Sequence, residues 1–73
     1  MDGLIEGRVV HYVIGENIHR AAIVINVHSK ELGTCDLFVF SMPQDERGGF
    51  FMKTNCDYAD TKISGTWHWI EKA

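Results

Sequence analysis

Seventy-three residues with a formal charge of −3 allow one small domain with a thin core, because a chain of this length buries only about 60–65% of the surface it exposes when unfolded. Seven Lys and Arg stand against ten Asp and Glu, and the cations are scattered singly from Arg8 to Lys72. Long nucleic acid is therefore disfavoured as a partner, since its binding rests on neutralising many phosphates, while a small phosphorylated ligand needing one or two cations stays open. No apolar run approaches the roughly 18 residues of a membrane span, and the acidic, short Met1 to Glu6 stretch does not read as an export signal, so the cytoplasm is the expected compartment.

In chain order, Arg8 to Ile14 is β-branched and aromatic and is followed by the turn cluster Gly15-Glu16-Asn17, which predicts a first strand. Ala21 to His28 predicts a second, with Ile23, Ile25 and Val27 on one face and Ala22, Val24, Asn26 and His28 on the other. After a turn over Ser29 to Thr34, Leu37 to Phe40 is a short apolar strand whose two faces are both expected to be covered. Met42 to Gly49 holds the only proline and a Gly-Gly pair, and is the longest predicted loop. Phe50 to Thr54 is the fourth strand. Asn55 to Ser64 is polar, with room for one helical turn around Tyr58-Ala59-Asp60, and Gly65 admits a last strand over Thr66 to Ile70. There Trp67 and Trp69 must project to one side and His68 to the other.

Five short strands with turn residues between them predict an all-β fold in one domain spanning residues 1–73. The expected form is a small five-stranded SH3-like barrel or curled antiparallel sheet, with a short helical turn before the last strand. Folds below roughly 80 residues commonly lean on disulfides, metal or self-association. Cys35 and Cys56 are the only cysteines, and nothing in the sequence argues for an oxidising compartment. No Cys or His pair has metal-site spacing, so neither a metal nor a cofactor is expected. Self-association is the support that remains, and the apolar Leu37 to Phe40, Phe50-Phe51 and paired tryptophans supply surface for a homo-oligomer.

Four segments carry a resemblance. Gly7 to Val13 (GRVVHYV), His19 to Val24 (HRAAIV), Leu37 to Phe40 (LFVF) and Gly65 to Trp69 (GTWHW) together resemble short proteins of tailed bacteriophages and prophages, in the same order along nearly the whole chain. The chain departs from that pattern at Ala21 and Ile70, where proline often stands. The resemblance implies a viral origin, action in the host bacterial cytoplasm and a small β fold.

Catalysis has little to stand on. His11, His19 and His68 could converge and would then permit acid-base chemistry near neutral pH, but no paired carboxylates, Gly-x-Ser-x-Gly or phosphate loop is present, and a non-enzyme is expected. A binding site is the stronger expectation. Arg20 offers a planar fork for phosphate or carboxylate beside His19. His11 and Tyr12 lie across the first hairpin, and Trp67, His68 and Trp69 could close the set from the last strand, as in a nucleotide pocket. With the phage resemblance, this predicts a self-assembling binding protein that sequesters a nucleotide-derived host immune signal. The alternative is a module that binds a host protein, or a minor virion component.

Overall fold

The computed structural model describes residues 1–15, 17–45 and 49–71. Five strands form one antiparallel sheet: β1 (Val9–Gly15), β2 (Ile18–Ser29), β3 (Thr34–Phe40), β4 (Phe50–Cys56) and β5 (Trp67–His68), in the order β4-β3-β2-β1-β5. Glu16 of the first turn and Glu46, Arg47 and Gly48 of the long loop lie outside the described residues.

The curled sheet is the form adopted, and its two edge strands, β4 and β5, do not pair with each other. The chain leaving β4 bridges the gap instead. Trp67 donates its backbone N–H to the Asp57 carbonyl at 3.0 Å, and Ala59 donates to the Trp67 carbonyl at 3.0 Å, so Tyr58 forms a parallel bridge with Trp67. The expected helical turn around Tyr58 is absent, and among the described residues there is no helix at all. Backbone groups that a helical turn would use locally are spent across the gap, and Lys62 at φ 60° cannot continue a right-handed helix.

One face of the sheet carries the core. Val10, Tyr12, Ala22, Val24, Cys35, Leu37, Val39, Cys56 and Trp67 are all buried there, and Leu4 packs with them at no exposure. The N-terminal segment holds Leu4 in place by extending the ladder: Gly7 donates to the Val24 carbonyl at 2.7 Å and Val24 to the Arg8 carbonyl at 2.9 Å. Cys35 and Cys56 are direct partners across β3 and β4 and are free thiols. Burial pushes them up to about 11 and about 12 respectively, which removes the nucleophilic thiolate at neutral pH.

The face assignment expected for β2 holds only as far as Val24. The register shifts between Val24 and Asn26, a bulge that inserts one extra residue and resets the alternation. Val27 therefore packs on the core although Ile23 and Ile25 do not. Nor is β3 covered on both sides, since Leu37 and Val39 are buried while Phe40 is 45% exposed.

The outward face is apolar along much of its width. Val9, Ile23, Phe38 and Met52 are successive cross-strand partners through β1, β2, β3 and β4, and Phe40 pairs with Phe50 in the neighbouring row. The Phe38 ring lies 5.2 Å from that of Phe40 and 5.4 Å from that of Phe50. Val9, Phe40, Phe50 and Met52 are exposed.

Candidate functional site

Three histidines meet at the β5 side of this outward face. His11 on β1 is the direct partner of His68 on β5. His19 on β2 pairs with Val13, two residues along β1 from His11, so the period of two brings it to the same face. The His19 and His68 ring centroids are 4.7 Å apart, with His11 at 5.7 Å from His68 and 6.0 Å from His19. The convergence that separate strands permitted is thus realised.

A residue the sequence reading did not single out organises them. Glu71 places Oε1 2.8 Å from His11 Nδ1 and 2.9 Å from His68 Nε2, and Oε2 3.1 Å from His19 Nδ1. One carboxylate therefore faces three imidazoles, and Lys62 Nζ stands 4.0 Å from Oε2. Partial burial raises the Glu71 carboxyl, but hydrogen bonds from His11, its own backbone and His68 outweigh that and hold it at about 2. His68 is only 3% exposed, and desolvation lowers its pKa against the pull of Glu71. Its Nδ1 has no hydrogen-bond partner among the described residues. A signal for Glu71 existed in its spacing three residues after His68, but β5 ends at His68 and the tail's return had no local cue.

The remaining residues expected in the site are placed elsewhere. Arg20 is clamped by Asp45, with Nε 2.7 Å from Oδ2 and Nη2 2.9 Å from Oδ1, so its fork is already filled. Asp45 Oδ2 also accepts the Met42 backbone N–H at 2.7 Å, and the pair pins the start of the long loop to β2. Tyr12 lies in the core, its ring edge-on to Phe51 at 5.8 Å. Trp67 is fully buried and donates Nε1 to the Gly33 carbonyl at 2.6 Å. Trp69 stands edge-on to Trp67 at 5.0 Å, with the Arg8 guanidinium 5.2 Å above its ring. Trp67 and Trp69 share one side while His68 takes the other, as the alternation requires. The expectation that imidazole, guanidinium and indole groups meet in one hollow is corrected accordingly: the sheet separates the imidazoles from the indoles, and Arg20 is committed to Asp45.

The depressed groups Asp36, Asp45, His68 and Glu71 give a pH dependence of one sign. Hydrogen bonds from Arg20 and the Met42 backbone hold Asp45 at about 2, against 3.8 in its ordinary state. A carboxyl depressed in the folded chain stabilises it above the unfolded pKa, and that contribution is lost as pH falls through the folded value. His68, depressed from 6.5, works the same way, because the unfolded chain takes up its proton first. Urea midpoints are expected to decline from about pH 6.5 and more steeply between about pH 4 and 2. Asp45→Asn should make the lower stage shallower, leaving the part carried by Glu71 and Asp36, and midpoints constant from pH 7 to 3 would contradict this placement of charge.

Chemically, three imidazoles around a carboxylate can present nitrogen and oxygen lone pairs to a cation. Among the described residues, no Ser, Thr or Cys side chain hydrogen-bonds to this cluster. Comparison with known protein families, characterised proteins and solved structures finds no match.

Proposed function

We propose that this chain is a non-enzymatic interaction module that pairs with a second copy of itself through the outward face of β1 to β4. The observation that carries this reading is the unbroken apolar row Val9, Ile23, Phe38 and Met52, flanked by Phe40 and Phe50. Phe50 is 69% exposed, a costly place for a phenyl ring in water. A second copy suits this surface because the row bears no charged side chain and a two-fold axis can set the same row of both copies against each other. Sheets stack face to face at about 10 Å, which completes a sandwich around the phenyl rings.

A specific interface buries at least about 1,000 Å² in total, so each copy has to contribute about 500 Å² of this face. An interface near that bound belongs with weak and transient complexes, and its strength depends on how the phenyl rings pack rather than on area. In the setting implied by the phage resemblance, the paired module acts on a host protein in the bacterial cytoplasm.

Sedimentation from micromolar to millimolar concentration tests the assembly. The expected result is a concentration-dependent dimer that Phe50→Asp shifts at least tenfold toward monomer, with little change in the urea midpoint because Phe50 is already exposed. A parent chain that stays monomeric at millimolar concentration would overturn the reading. The nucleotide trap has weaker support, since Arg20 is held by Asp45 and a carboxylate sits among the histidines. Calorimetric titration with cyclic dinucleotides and cyclic ADP-ribose variants is expected to give flat heats. Binding that Arg20→Ala abolishes would restore the trap.

A further inference from the structure

We propose that His11, His19, His68 and Glu71 form a binding site for a zinc-class divalent transition cation. The donor atoms of these four residues lie within 4.8 Å of one another. In a tetrahedral zinc site with bonds of about 2.0 to 2.1 Å, the ligand atoms stand about 3.3 Å apart. The widest pair therefore has to close by about 1.5 Å, a distance that side-chain rotation covers without moving the strands.

The backbone already does the positioning. His68 and His11 are opposed in the β1–β5 ladder, and His19 is held by the β1–β2 ladder. Three ligands thus come from paired strands, and only Glu71 comes from the tail. Imidazole nitrogen with one carboxylate oxygen is a borderline donor set suited to Zn²⁺, Co²⁺, Ni²⁺ or Cu²⁺, whereas Mg²⁺ and Ca²⁺ take oxygen ligands. One carboxylate and three neutral imidazoles leave a net charge of +1 on the bound complex, and solvent reaches it through Glu71, which is 38% exposed.

Protons and competing charge also balance. Without metal, the nitrogens facing Glu71 carry the protons, because an ionised carboxylate only accepts. Cation binding moves each proton to the outer ring nitrogen or to solvent. For His68 the exchange puts the proton on Nδ1, which has no partner among the described residues, a cost that the metal–nitrogen bond has to outweigh. Lys62, the one cation beside Glu71 among the described residues, is 45% exposed and can turn to water. Local spacing could not reveal the site, because its histidines stand on three different strands.

Isothermal titration with Zn²⁺ and visible absorption with Co²⁺ test the proposal on the whole chain. One equivalent of Zn²⁺ per chain is expected to bind, and Co²⁺ to show the intense visible bands of tetrahedral coordination. A Zn²⁺ concentration 100 times the Kd should lower the unfolding constant about 100-fold. His19→Gln and Glu71→Gln should each weaken binding at least about tenfold, while His28→Gln, whose histidine pairs with Asp36 at 2.9 Å, should leave it unchanged, and Mg²⁺ should give no heat. Absence of Zn²⁺ heat, octahedral Co²⁺ spectra, or affinity unaltered in both His19→Gln and Glu71→Gln would overturn it.

Discussion

Replacing Trp67 with Ala is expected to remove about a third or more of the chain's folding stability. Truncating a fully buried aromatic costs about 3–5 kcal/mol, and a domain of this length has only about 4–11 kcal/mol in hand. Trp67 has no exposure and stacks edge-on with both Tyr58 at 5.0 Å and Trp69 at 5.0 Å. Its backbone also joins the chain after β4 to β5, so the cavity opens where the sheet is bridged rather than laddered. Trp67→Phe separates packing from polarity, because it keeps a ring but leaves the Gly33 carbonyl without the Nε1 donor, at about 1–3 kcal/mol. Urea denaturation followed by circular dichroism measures both. An Ala variant within 1 kcal/mol of the parent would show that the tail is not part of the core.

Among the glycines of the described residues, Gly33→Ala should be the most damaging substitution. Gly33 has φ +82°, and a Cβ there would stand 2.8 Å from Tyr58 Cβ and 2.9 Å from Met1 Cε. Met1 can swing aside, but Tyr58 Cβ is fixed by the bridge to Trp67. The conformational penalty alone is about 1–2 kcal/mol, and the overlap adds to it by pushing the bridging segment off β5. Gly65 separates the two effects: its φ is +87° and nothing lies within 4 Å of its added Cβ, so Gly65→Ala should show the conformational penalty only. Equal losses in the two variants would mean that Tyr58 yields freely.

Both substitutions act on a junction that the sequence reading placed only in part. The short strand around Trp67 was legible, because an aromatic-His-aromatic run flanked by Gly65 has a local periodicity. The bridge through Tyr58 was not, and a helical turn was expected in its place, since a polar segment with Tyr58, Ala59 and Asp60 carries no local mark of a distant partner. Likewise, the alternation in β2 was readable up to Val24, but the bulge before Asn26 depends on matching β3, which a single strand does not encode by itself.

The sequence by itself determined the all-β class, the presence of five strands and the opposite faces of Trp67 and His68, because backbone propensity and the two-residue period act over a few neighbours. Only the tertiary structure decided which groups share a site. His11, His19 and His68 meet because β1 lies between β2 and β5, Glu71 reaches them from the tail, and Arg20 is taken by Asp45 from a loop far along the chain. These pairings follow from strand order and long-range register, which arise when the whole chain closes around a shared core and which no stretch of residues specifies alone.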